Sequence, residues 1–214
     1  MSLIISEVKV VFLDAGGVLF DTPVKGEERI RRLLKGRCYA ISDIDKAIEK
    51  AKMIKPEFIT TWSEEEAYYK TYYGAIAEEL KDNSLTEELL FLTHFAGHCE
   101  LFPEVRGVLK KLGKGYHLGV ISNSMPSMDW VFDRLDIRKY FDSLVLSAYV
   151  KTEKPGGDIY KIALAELEAR PEESIFVDDI LVNIQGAKRA GIKGLYLDRT
   201  KADLQELLEK SGIL

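Results

Sequence analysis

A chain of 214 residues, 46% hydrophobic and 30% charged, can bury one core of ordinary size together with a smaller subdomain, which excludes a disordered or fibrous class. A formal net charge of −5, with no Lys/Arg block beyond a few residues, excludes a nucleic-acid-binding stripe and a polybasic membrane anchor. It leaves room for a local site that takes a small anionic molecule.

Cys38 and Cys99 are far apart and outside any CxxC or Cys/His spacing, so neither a disulfide framework nor a zinc site is expected. The start "MSLIISEVKVVFLD" lacks a long apolar leader, and no run reaches the roughly 18 apolar residues of a membrane span. The expectation is a soluble, cytoplasmic protein with no nucleic-acid or membrane partner.

In chain order, the first element is an apolar strand over 8–13 that runs into Asp14. Residues 22–100 then carry helical patterns without strands: "GEERIRRLLKG", "SDIDKAIEKAKM", "SEEEAYYKTYYGAIAEEL" and "TEELLFLTHFAG". Ser63 followed by Glu66 reads as a capping box opening the third of these helices.

From Leu101 onward, continuous apolar runs at 117–122, 143–147, 174–178 and 194–198 alternate with helical segments near 104–113, 127–136, 158–168, 181–190 and 201–210. Continuous rather than alternating runs are strands buried on both faces, and strands alternating with helices form a parallel sheet with right-handed crossovers. The predicted fold class is α/β, a three-layer Rossmann-like parallel-sheet core over 1–21 and 101–214, with an all-helical cap subdomain inserted over 22–100.

Ligands of open parallel sheets bind at the carboxyl ends of the strands. The first strand ends in Asp14, the strand at 117–122 in Ser122 and Asn123, and the strand at 174–178 in Asp178 and Asp179. Lys154 lies in the loop after the strand at 143–147. Taken singly, these residues read as caps or as a solvated loop charge. Together, three carboxylates on one rim repel unless a cation or proton shares the site, and a hard divalent ion such as Mg²⁺ resolves that repulsion.

The same residues, in the same order, resemble the motifs of the haloacid dehalogenase superfamily of hydrolases, most of which are phosphatases. The matching stretches are "VVFLDAGGVLFD", "LGVISNS" at Ser122, Lys154–Pro155 before a helix, and "IFVDDILVNIQGAKRAG". The resemblance covers nearly the whole chain, and a helical insertion after the first motif matches the family's cap. It implies Asp14 as a nucleophile that forms an aspartyl-phosphate, with Ser122 and Lys154 holding the phosphoryl group beside loop N–H groups of Ala15, Gly16 and Asn123. It further implies Mg²⁺ on Asp14, Asp179, the Gly16 carbonyl and Asp178, with Asn183 orienting the acidic pair.

One position departs from the pattern. Most phosphatases of the superfamily carry a second Asp two residues after the nucleophile, as general acid and base; here that residue is Gly16. Asp21, His94 and His98 are weak candidates to replace it. The expected activity is a Mg²⁺-dependent phosphatase acting on a small phosphorylated metabolite, as a monomer or homodimer. The alternatives are a 2-haloacid dehalogenase, whose halide leaves unprotonated but which needs no acidic metal pair, and a catalytically weak binding protein. Tyr68/Tyr72 and Tyr69/Tyr73 share helix faces at one-turn spacing and read mostly as packing, with one or two of them, or Trp62, lining a substrate pocket.

Overall fold

Val10–Leu13 (β1) is buried at every position, because the sheet is covered on both faces and an alternating strand would leave polar groups inside it. The computed structural model describes residues 7–37, 39–54 and 58–214, and Cys38 lies outside them. After β1 come Phe20–Asp21 (β2) and four helices: Gly26–Lys35 (α1), Ile41–Ala51 (α2), Trp62–Glu79 (α3) and Leu85–Thr93 (α4). The chain continues through Glu100–Leu101 (β3), Val105–Leu112 (α5), His117–Ser122 (β4), Ser127–Arg134 (α6), Ser143–Leu146 (β5) and Ser147–Val150 (α7). It ends with Gly157–Glu166 (α8), Ser174–Asp178 (β6), Leu181–Arg189 (α9), Lys193–Tyr196 (β7) and Leu204–Lys210 (α10).

The chain packs as two units. One comprises the residues up to 21 with 101–124 and 132–214; the other comprises 22–100 with 125–131. The sequence reading runs the second core segment unbroken from 101. Instead, 125–131 joins the helical unit because the buried Glu65 carboxylate accepts from both the backbone N–H (2.7 Å) and the hydroxyl (2.5 Å) of Ser127.

In the α/β unit, five strands run in the order β5-β4-β1-β6-β7, and every pairing is parallel. The strands at 8–13, 117–122, 143–147, 174–178 and 194–198 all exist, with ends shifted by up to two residues. The registers Leu13↔Val120 and Leu13↔Val177 bring the carboxyl ends of β1, β4 and β6 level, which is what places their terminal polar residues on one rim. One face of the sheet packs Phe12, Ile121, Val145 and Phe176 against Ile159, Tyr160 and Ala163 of α8. Each such large apolar side chain contributes roughly 1.5–3 kcal/mol when fully buried.

In the helical unit, α1 to α4 enclose Ile30, Leu34, Ile44, Ile48, Tyr73, Ile76, Leu85 and Leu89. The capping box of α3 is Thr61 with Glu64, not Ser63 with Glu66: the Thr61 hydroxyl accepts from Glu64 N–H, and the Glu64 carboxylate accepts from Thr61 N–H. Both pairs fit the S/T-x-x-E pattern, and the helix begins two residues earlier than a Ser63 cap would start it. The last helix begins at Leu204, because Asp203 with Glu206 makes a second capping box there. Among the described residues no helix is long and apolar enough to cross a membrane.

Candidate active site

The residues predicted for nucleophile, phosphate and metal binding fall in the α/β unit, at the carboxyl ends of β1, β4 and β6 or in the loops beside them, with Asn183 in α9. Lys154 is the centre of the cluster. Its ammonium, 4% exposed as a residue, donates to Asp14 Oδ1 (2.7 Å), Asp178 Oδ2 (2.8 Å) and the Ile121 carbonyl (2.8 Å), so all three of its protons are used. Asn123 fixes the lysine's backbone: the amide group donates to the Lys154 carbonyl (2.8 Å), and the amide oxygen accepts from the Lys154 N–H (2.7 Å). Asn123 thus acts on the main chain of the loop that carries the ammonium. The Ser122 side chain is buried at the end of β4, one residue beyond the Ile121 carbonyl.

Asp178 is fully buried, and each of its oxygens has protein donors. Oδ1 accepts from the Ile180 N–H (2.7 Å) and the Asn183 amide (3.2 Å); Oδ2 accepts from the same amide (3.1 Å) besides Lys154. Asn183 is held in turn by Tyr160, whose hydroxyl donates to the Asn183 carbonyl at 2.7 Å. Asp179 is only partly buried. One carboxylate oxygen from each of Asp14, Asp178 and Asp179 lies within 4.8 Å of the others.

Three carboxylates against one ammonium leave the cluster short of positive charge. Burial pushes the Asp14 carboxyl up to about 6; Lys154 pulls it down and Asp178 pushes it further up. Burial, followed by the charge of Asp178, also raises Asp179 from its ordinary value. A compact, all-oxygen donor set with two carboxyl groups resisting ionisation suits a hard divalent cation such as Mg²⁺. The residues present therefore fit such an ion.

The two glycines after Asp14 do different work. Gly17 has φ +78°, and a Cβ there would lie 2.1 Å from Asp179 Oδ2, so only glycine fits under that carboxylate. At Gly16 a Cβ would meet nothing within 4 Å. Gly17 is thus fixed by its close approach to Asp179, while Gly16 is open to a side chain.

Arg199 was missed. Its Nε donates to the Gly17 carbonyl at 3.1 Å, its two terminal nitrogens reach the Val18 carbonyl and the Glu104 carboxylate, and its guanidinium stacks 3.6 Å from the Phe102 ring centroid. It fastens the turn that follows Asp14. The available signal was its place just after β7, at the carboxyl edge of the sheet.

The other candidates fall in the helical unit or at its boundary. His94 Nε2 lies 3.2 Å from the Glu65 carboxylate, and His98 Nε2 lies 2.8 Å from the Leu92 carbonyl, so both rings have local partners. Tyr73 is buried in the helical core, with Tyr69 and Tyr72 packed against it, and Trp62 is 50% exposed. Asp21 closes β2.

A family profile described as haloacid dehalogenase-like hydrolase matches residues 8–191. The chain is 28% identical to the glyceraldehyde 3-phosphate phosphatase of Methanothermobacter thermautotrophicus, over 96% of this chain and 92% of that one. Among solved structures, it superimposes on an HAD phosphatase from Thermococcus onnurineus with a TM-score of 0.67 and 19% identity, covering 96% of this chain and 98% of the other. It also superimposes on a 2-haloacid dehalogenase from Pseudomonas syringae with a TM-score of 0.66 and 20% identity, covering 95% and 99%. The near-equal scores show a shared fold and do not separate the two chemistries.

Proposed function

The chain belongs to the haloacid dehalogenase-like hydrolase family, and from that premise we propose that it is a Mg²⁺-dependent phosphatase hydrolysing a small phosphorylated metabolite through an aspartyl-phosphate on Asp14. The observation that carries this reading is the Asp14–Asp178–Asp179 cluster bridged by Lys154, a donor set that displacement of halide from carbon does not require. The phosphatase name of the Methanothermobacter relative supports the same side.

In this reading Lys154 holds Asp14 Oδ1, which aims Oδ2 at the phosphorus. Attack forms the Asp14 O–P bond and breaks the bond from phosphorus to the leaving oxygen, which departs with the electron pair and takes a proton. Water then attacks phosphorus, releasing inorganic phosphate and restoring the Asp14 carboxylate. The Ser122 hydroxyl, with loop N–H groups of Ala15, Gly16 and Asn123, binds the phosphoryl oxygens as charge shifts onto them, and the Lys154 ammonium, its three protons held by Asp14, Asp178 and the Ile121 carbonyl, supplies positive charge beside them. Asp14, Asp178, Asp179 and the Gly16 carbonyl would hold Mg²⁺, which supplies positive charge for two anions to meet. Asn123 and Asn183 position Lys154 and Asp178 respectively.

Gly16 leaves no carboxylate at the position that usually protonates the leaving oxygen. General acid help is worth roughly 10²- to 10⁴-fold, so the preferred substrates are those whose leaving group is already a weak base, such as acyl phosphates and sugar 1-phosphates. The test is phosphate release from a panel of sugar, nucleotide and acyl phosphates with Mg²⁺ and with EDTA, alongside halide release from 2-chloropropionate. Mg²⁺-dependent phosphate release supports the reading. Halide release in EDTA would replace it with the dehalogenase alternative.

A further inference from the structure

Tyr160 lies in α8, fully buried in the core cluster that also holds Phe12, Phe176 and Ile184, where packing asks only for an apolar ring. Its hydroxyl needs a separate account. A hydroxyl taken out of water costs free energy unless it finds an acceptor, and this one donates to the Asn183 carbonyl of α9 at 2.7 Å. Burial, followed by the charge of Asp178, raises the phenol above its ordinary value, so the group stays a donor.

Helix α9 is shaped to that bond. A Cβ at Gly186 would lie 2.8 Å from the Tyr160 hydroxyl and 2.7 Å from the Pro155 carbonyl, so glycine lets the helix approach both α8 and the loop that carries Lys154. Asn183 stands one turn earlier on the same helix, and its side-chain amide donates to both oxygens of Asp178, at 3.2 and 3.1 Å. The Tyr160 hydroxyl, Asn183 and the Asp178 carboxylate thus form one line of contacts that ends in the Asp14–Asp178–Asp179 cluster. The ring does separate work. It meets the Phe176 ring edge-on at 5.7 Å, and Lys154 Nζ lies 5.2 Å from the Phe176 centroid. Phenylalanine at 160 would keep that stack and remove only the hydroxyl.

We propose that the Tyr160 hydroxyl is a positioning group for the Asp14 cluster: by holding the Asn183 main chain, it sets how the Asn183 amide orients the Asp178 carboxylate toward a divalent cation. Its effect passes through Asn183. The proposal rests on the Mg²⁺-binding reading of the cluster, and it separates the hydroxyl, which acts on the site, from the ring, which serves the core.

The test is Tyr160→Phe in the full chain, with Mg²⁺ affinity measured by isothermal titration without substrate, beside kcat and KM for an acyl phosphate and the denaturation midpoint in EDTA. Losing a group that directly orients a metal-binding side chain costs roughly 10- to 100-fold in affinity. The hydroxyl stands one contact further out, and the Ile180 N–H still holds Asp178, so the expected loss of Mg²⁺ affinity is roughly fivefold. At limiting Mg²⁺, kcat should fall in proportion while KM stays nearly constant. In an Asn183→Ala background, where the line of contacts is already cut, Tyr160→Phe should leave Mg²⁺ affinity almost unchanged. A hydroxyl that served only the core would lower the denaturation midpoint and spare Mg²⁺ affinity. Wild-type Mg²⁺ affinity in Tyr160→Phe, or the same loss with and without the Asn183 side chain, would overturn the proposal. A wild-type chain that takes up no Mg²⁺ to roughly 10 mM would overturn the Mg²⁺ reading together with it, so the wild-type titration tells the two failures apart.

Discussion

Lys154 Nζ lies 2.7 Å from Asp14 Oδ1 inside the protein, and the two groups come from segments 140 residues apart. The same ammonium bonds Asp178 at 2.8 Å, so one lysine neutralises parts of two strand ends. Removing one partner of a buried ion pair leaves uncompensated charge and typically costs about 3–5 kcal/mol. Lys154→Met is therefore expected to lower the melting temperature sharply in EDTA. Mg²⁺ should restore part of the loss, because it supplies charge to the same carboxylates. A variant that melts like the wild type in EDTA would contradict this arrangement.

Asp14 gives a signed pH dependence. Its carboxyl is raised from 3.8 to about 6, chiefly by burial, so between those values the folded metal-free protein binds more protons than the unfolded chain. The stability due to this group is then full below about 3.8 and is lost as pH rises through about 6. In EDTA, Asp14→Asn should flatten the decline in denaturation midpoint between about pH 4 and 7 relative to wild type. Mg²⁺ should bind more tightly as pH rises through the same window, since the ion competes with the proton.

Gly16 offers a gain-of-function prediction. A side chain there meets nothing within 4 Å, so Gly16→Asp is expected to fold and to raise turnover on phosphates of simple alcohols by roughly tenfold or more. Acyl phosphates, which need no protonated leaving group, should gain little. Turnover profiles of the two substrate classes before and after the substitution check both halves.

Arg199 holds the Gly17 and Val18 carbonyls behind the nucleophile. Small misplacements of reacting groups are costly, so Arg199→Met should lower kcat by about tenfold while leaving metal affinity nearly unchanged. Gly17→Ala is expected to be worse than Gly16→Ala in both stability and activity. Its Cβ would meet the Asp179 carboxylate at 2.1 Å in a backbone conformation that disfavours side chains.

How much of this was legible in the sequence follows from which signals are local. The buried strands announced themselves as continuous apolar runs, and the polar residue closing each run marked the rim, so Asp14, Ser122 and Asp178 could be named before any packing was known. Lys154 could be placed on that rim, whereas its bridging of Asp14 and Asp178 depends on strand order and register. Arg199 was invisible for a related reason: it is defined by the carbonyls and the Glu104 carboxylate it meets across the fold, which an arginine's neighbours in sequence do not reveal. The α3 capping box was misplaced by two residues because Thr61–Glu64 and Ser63–Glu66 satisfy the same pattern, and only the helix start distinguishes them.

The central claim is that Asp14 carries a phosphoryl group during turnover. The most direct measurement is a peptide mass map of the protein acid-quenched during turnover of an acyl phosphate with Mg²⁺. The account predicts a phosphoryl adduct on the peptide containing Asp14, absent in EDTA and absent in Asp14→Asn. Phosphate release by Asp14→Asn at the wild-type rate, or an alkyl ester on Asp14 formed from 2-chloropropionate in EDTA, would contradict it.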